Sequence, residues 1–166
     1  METITHRQEA LETLYNKIKD VRFCMLTTAE PDGTLRSRPM ATVKSEPNGT
    51  LWFFTKESTG KVDEINHYRS VNLSYADPGG NVYVSVSGEA IISFDKTKME
   101  ALWNPLFRAW FPQGIEDPEI ALVSVNIKQA EYWEASSNKM VQLFGMVKAM
   151  VTGSEYQPGD HEKFDF

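Results

Sequence analysis

The sequence predicts a mainly β domain with short helices, an α+β chain of six or seven antiparallel strands forming a barrel or a sandwich. Three observations predict it. Apolar, β-branched runs recur at short intervals and are punctuated by turn signals: Pro31-Asp32-Gly33, Glu46-Pro47-Asn48-Gly49 and Asp77-Pro78-Gly79-Gly80. Val82, Val84 and Val86 alternate with Tyr83, Ser85 and Ser87, the period of a strand with one buried face. Gly88 interrupts the same run, as in strands that bulge or bend to close a barrel. A chain of 166 residues suffices for one domain with a sizeable core. No linker, repeat or low-complexity tract divides it, so 1–166 reads as a single unit with an N-terminal helix over 1–20 and a polar, frayed tail over 153–166.

Each element has its own signal. Thr5 and Gln8 have capping-box spacing, and Leu11, Leu14, Tyr15 and Ile18 then form one apolar stripe of a helix. Phe23 to Thr28 and Leu35 to Val43 read as strands. Asn48-Gly49 is a hairpin signal because that pair tolerates positive φ, and it leads into a strand from Thr50 to Thr55. Ser58 to Tyr68 reads as a short helix with Val62, Ile65 and Tyr68 on one side. Strands follow over Val71 to Ala76 and Asn81 to Phe94. Asp95 is placed to cap a third helix through Met99, Leu102 and Trp103. After an aromatic, Pro- and Gly-bearing stretch, two last strands are expected over Ala121 to Glu134 and Met140 to Thr152.

Composition narrows the function. With 41% hydrophobic and 24% charged residues the chain is ordinary for a globular protein. A net charge of −6 without any basic run argues against nucleic acid as the main partner. No apolar run reaches membrane-spanning length, and residues 1–10 lack a signal-peptide core, so a cytoplasmic protein without membrane contact is expected. Cys24, the single cysteine, rules out an intrachain disulfide and reads as a small buried hydrophobe. His6, His67 and His161 do not pair at ligand spacing, so no metal site is expected. Neither Gly-x-Ser-x-Gly nor Gly-x-Gly-x-x-Gly occurs.

The chemistry-bearing stretch is Leu51-Trp52-Phe53-Phe54-Thr55-Lys56-Glu57-Ser58-Thr59-Gly60-Lys61. An aromatic strand enters a hydroxyl-rich turn that ends in Gly-Lys where a helix begins, and a helix N-terminus with hydroxyls and a lysine is a phosphate cradle. Taken alone, Ser58 or Thr59 equally suits a plain helix cap. Arg36 and Arg38 shift that balance, because residues two apart on a strand share a face. Lys44 and Lys56 add positive charge nearby in sequence. Trp52 and Trp133 read as core or as ligand contacts, and Trp103 and Trp110 as packing or a subunit interface.

These features, in this order, resemble the FMN-binding split barrels related to pyridoxamine 5′-phosphate oxidase, and in particular their general stress protein branch. The residues that carry the resemblance are Arg38-Pro39-Met40, Leu51 to Thr55, Ser58 to Lys61, Trp110-Phe111-Pro112-Gln113-Gly114 with Asp117-Pro118, and Glu131-Tyr132-Trp133. It covers about Val21 to Val151. It implies a Greek-key-like split β-barrel, a homodimer, and two FMN sites in the dimer interface. By the same resemblance Arg38 reaches the FMN phosphate or ribityl chain, Pro39 lies beside it, and Met40 lies along the isoalloxazine ring. Phe54 and Thr55 meet the ring edge, partly through backbone groups. Ser58, Thr59 and Lys61 cradle the phosphate. Trp133, and by spacing Tyr83, approach the flavin across the interface. The family oxidases place Arg-x-His shortly after that tryptophan, whereas here Glu134, Ala135, Ser136, Ser137, Asn138 and Lys139 follow, which disfavours pyridoxamine phosphate as substrate. The leading expectation is a stress-related FMN-dependent oxidoreductase with a small-molecule redox partner. The alternatives are a non-catalytic flavin-binding or flavin-buffering protein, and a split barrel using a deazaflavin or haem.

Overall fold

A computed structural model describes residues 2–44, 46–136, 138–157 and 159–166, without the side chains of residues 2–4, 139 and 140. Helix α1 (Glu2–Ile18) leads into strands β1 (Phe23–Ala29), β2 (Leu35–Ala41) and β3 (Thr50–Lys56). Helix α2 (Gly60–His67), strands β4 (Ser70–Asp77) and β5 (Val82–Ser93), and helix α3 (Lys96–Leu102) follow. Two 3₁₀ turns, Pro105–Ala109 and Gly114–Glu116, precede the long strand β6 (Ile120–Ala135), helix α4 (Lys139–Thr152) and strand β7 (Gly159–Asp165).

All ladders are antiparallel. The sheet runs β2-β1-β4-β5-β6-β3, and β7 adds to the far half of β6. The ends of that order, β2 and β3, come alongside each other without a shared ladder, so the sheet curls into a half-barrel that stays split. The bend is made at Gly88, where the β5–β6 register shifts. A Cβ there would stand 2.3 Å from the Asn126 carbonyl oxygen, a contact only glycine avoids.

The pleat sends alternate residues into two cores. Leu26, Phe53, Leu73, Val86, Val123 and Val125 fill the barrel interior, and α1 closes it with Leu11, Leu14 and Ile18. The opposite face of β3 and β6 carries Trp52, Phe54, Ile120 and Leu122, and α3 and the first 3₁₀ turn cover these with Met99, Trp103, Phe107 and Phe111. Strand β6 is therefore apolar on both faces at its start and alternates only from Val123 onward. Asp95 caps α3 as expected, accepting from the Lys98 N–H. Cys24 lies in the core, where burial pushes its thiol up to about 12.

Several expectations are corrected. Residues 140–152 form most of α4 rather than a strand. The tail is not frayed over its length, because β7 pairs with Gln129 to Ala135 of β6. Asn48-Gly49, with Gly49 at φ +90°, turns the chain but makes no hairpin: β2 pairs with β1 and β3 with β6. Helix α1 begins at Glu2, so Thr5 lies inside it rather than at its cap. Ser137 falls outside the described residues, as does the side chain of Lys139.

Candidate functional site

The inward face of the β1–β2 ladder changes character along its length. Cys24 pairs with Met40 in the core, Leu26 with Arg38 at its margin, and Thr28 with Arg36 at the barrel's end. Helix α2 lies over that end. Val62 and Ile65 are buried, and between them Glu64 is buried as well. A carboxylate there needs partners, since an isolated charge is too costly to bury. It has three: Thr28 Oγ1 donates to it, Arg38 Nη2 lies 2.6 Å away and Arg36 Nη1 3.8 Å away.

The turn between β3 and α2 supplies the other wall. Lys61 Nζ donates to Thr55 Oγ1 at 2.9 Å. The hydroxyl of Thr59, the N-cap residue of α2, donates to the Lys56 carbonyl at 2.8 Å instead of capping the helix. No side chain caps this N-terminus; the Val62 N–H bonds to the Thr59 carbonyl at 3.0 Å, and the positive end of the helix dipole is left uncompensated by a cap. Ser58 stands exposed at the tip. A Cβ on Gly60 would lie 3.5 Å from the Glu64 carboxylate and 3.7 Å from the Arg36 guanidinium, so the first turn of α2 fronts the charged cluster directly.

Electrostatics mark this end as short of negative charge. Burial, then the charges of Arg38 and Arg36, pull the Lys61 ammonium down from its usual range, with Glu64 opposing. Burial favours the neutral form of Glu64, yet the hydrogen bonds from Thr28 and Arg38 and the two arginine charges outweigh it, and its carboxyl sits below the usual range. Arg38 is the anomaly. Its Nε and Nη1 are buried without a hydrogen-bond partner, and each such donor costs about 1–3 kcal/mol. An anion reaching those donors would recover that cost, so these residues fit a phosphate group. Of the other nearby cations, Lys44 pairs instead with Asp20 at 3.7 Å.

The remaining sequence-derived residues lie elsewhere. Met40 shares the arginines' face but its side chain is sunk in the main core. Phe54 packs with Trp103, Phe107 and Phe111 in the second core, at centroid distances of 5.5, 5.2 and 6.3 Å. Pro39 is on the outer face of β2, exposed. Tyr83 and Trp133 sit opposite each other on the β5–β6 ladder and are 45% and 41% exposed. Trp133 stacks on His161 of β7, rings 5° from parallel and 5.2 Å apart, and His161 Nε2 lies 2.5 Å from Glu131 Oε1. Thus Arg38, Thr55, Thr59 and Lys61 come together, and the aromatic pair stands apart from them. Sequence reasoning missed Glu64 and His161. The signal for Glu64 was its place between Val62 and Ile65 on the buried side of α2. For His161 the only signal was a weak alternation ending in Phe164 and Phe166.

Among the described residues no group of side chains could hold a metal ion, and no helix is long and apolar enough to cross a membrane. An open cleft lined by Lys17, Asp20, Asp77 and Glu134 shares no residue with the cradle.

Comparison with known proteins points the same way. Protein bli-3 of Neurospora crassa is 29% identical over 168 residues, covering 89% of this chain and 80% of that protein. The general stress FMN/FAD binding protein of Xanthomonas citri superposes with a TM-score of 0.66 at 28% identity, over 76% of this chain and 89% of that one. A Clostridium acetobutylicum protein related to general stress protein 26 shares the fold over 96% of both chains, with a TM-score of 0.71 at 16% identity. A sequence model of the family described as pyridoxamine 5′-phosphate oxidase like matches residues 9–157. With that match spanning most of the split barrel and the whole cradle, the chain belongs to the pyridoxamine 5′-phosphate oxidase like family.

Proposed function

We propose that this protein binds FMN, with the phosphate at the barrel end formed by β2, the β3–α2 turn and α2. The observation that carries this reading is Arg38: two buried nitrogens without partners, beside Lys61 and an uncapped helix N-terminus. Arg36, Arg38 and Lys61 would neutralise the phosphate through charge-assisted bonds, and Ser58, Thr55 and Thr59 would supply hydroxyls. Met40 and Phe54 serve mainly as packing, so any contact from them to the ring would come through the strand backbone. A bound flavin would supply the redox chemistry, and the protein would set its access and orientation. The reading is a cytoplasmic, stress-related flavin-dependent oxidoreductase acting on a small molecule other than pyridoxamine phosphate.

A homodimer belongs to the same reading. Helix α4 carries apolar residues all round its axis, interrupted by Gln142, Lys148 and Thr152, and Leu143, Phe144, Met150 and Val151 are exposed, as are Phe23, Met25, Tyr83 and Trp133 on the outer sheet face. A helix apolar all round is ordinarily covered. A second copy would cover both surfaces and bring Tyr83 and Trp133 to the partner's flavin.

The visible spectrum of the freshly purified protein tests the proposal. Flavin absorbance with a released mass equal to FMN is the expected result. A colourless protein that fails to take up added FMN at micromolar concentration would overturn it. Mixing the loaded protein rapidly with NADH or NADPH separates turnover from storage, since an oxidoreductase that accepts their hydride bleaches and a buffering protein does not.

A further inference from the structure

The cradle is built from cations, yet the group at its centre is a carboxylate. Glu64 faces Thr28 of β1 and Arg36 and Arg38 of β2, and its charge is felt by Lys61 one turn earlier on its own helix. Three cations against one carboxylate leave two positive charges in excess. A phosphomonoester carries about 1.5–2 negative charges near neutral pH, so the excess matches it. The pairing is also one-sided: Glu64 engages Arg38 through Nη2 and leaves Nε and Nη1 without partners.

We propose that Glu64 is the positioning residue of the cradle: it anchors the Arg38 guanidinium by one nitrogen, so that the others are left to the ligand, and trims the cluster to the charge of a phosphomonoester. The proposal rests on the flavin phosphate reading above. An arginine side chain has about 2 kcal/mol of rotamer entropy to lose, and a guanidinium already held loses little of it when the ligand arrives. The anchor is itself fixed. Thr28 donates to the carboxylate, and the burial of Val62 and Ile65 sets the height of α2 above the strands. Without Glu64, Arg38 keeps its charge but loses the contact that orients it. With glutamine there, an acceptor for Thr28 and Arg38 remains and one positive charge is uncovered.

Titrations of the 166-residue chain with FMN and with riboflavin, followed by flavin fluorescence at low and moderate salt, separate these roles, with circular dichroism to check the fold. Glu64→Ala should weaken FMN binding about tenfold or more and leave riboflavin binding unchanged. Glu64→Gln should restore FMN affinity to within about threefold of wild type, with a steeper loss on adding salt. An alanine variant that holds FMN as wild type does would overturn the proposal. So would a glutamine variant as weak as alanine, or one whose salt dependence is unchanged. If alanine prevents folding, the glutamine variant decides alone: FMN affinity about tenfold or more below wild type, or an unchanged salt dependence, would overturn the proposal. A wild-type protein that binds riboflavin as tightly as FMN would instead overturn the phosphate reading itself, whatever the variants do.

Discussion

The two ends of the proposed flavin site are built differently. At the cradle, every wall comes from one chain: Arg36 and Arg38 from β2, Thr55 from β3, Lys61 and Glu64 from α2, linked by hydrogen bonds and ion pairs before any ligand arrives. On the outer face, Trp133 and Tyr83 are held by neighbours within the sheet but stay substantially exposed, and α4 presents apolar side chains to water. If the cations hold the flavin phosphate as proposed, the charged half of recognition is complete in a single copy, whereas the exposed aromatic half calls for a covering surface. That follows from what each half binds. A phosphate is held by short, directional bonds from buried donors, whereas a flat ring needs apolar area, which two copies can share.

The largest effect should come from removing the charged end. Arg38→Ala combined with Lys61→Ala should cost about 3–5 kcal/mol of FMN binding, upward of a hundredfold, while riboflavin binding barely moves. Met40→Ala separates packing from ring contact. If Met40 is a core residue, the variant loses about 2–5 kcal/mol of folding stability in urea and holds FMN nearly as well while folded. A large loss of FMN affinity at unchanged stability would reverse that assignment.

How much of this was legible in the sequence differs between the same two ends. That Arg38, Thr59 and Lys61 lie close together was legible, because they fall in two short segments whose local patterns already set their geometry; Thr55, expected at a ring edge, joins them through Lys61. Glu64 was not legible, because its partners Thr28 and Arg38 are 36 and 26 residues away and only the curled sheet unites them. The strands up to β6 followed their period-2 alternation. Residues 140–152 misled because an apolar run without a polar face has no period to read, and its valines favour a strand as readily as a helix. Strand β7 hid for the opposite reason. It is an edge strand rich in charged, exposed residues, a composition common on edges, and such strands look like solvated tails. The packing of Met40 in the main core and of Phe54 against the second was equally out of reach, since each depends on which distant elements cover that face of its strand.

The outer face invites smaller tests. Phe144→Glu with Met150→Glu should weaken self-association about tenfold or more in sedimentation velocity, because two exposed apolar anchors become charges, and the cradle's affinity for inorganic phosphate should not change. Trp133→Ala should cost about 1 kcal/mol, roughly fivefold, for FMN and riboflavin alike, which separates a ring contact from a phosphate contact. The smallest effect concerns acid stability. The folded-state pKa of Glu64 is depressed below its ordinary value of 4.5, so its contribution to stability is present above that value. It is lost as pH falls through the lower folded value. Glu64→Gln should flatten that acid limb of the unfolding curve.

The paired titration of the wild-type protein with FMN and with riboflavin tests the central claim most directly, since the two ligands differ only in the phosphate. A cradle formed by Arg36, Arg38 and Lys61 requires FMN to bind at least about a hundredfold more tightly. Equal affinities would mean that these cations do not hold the phosphate.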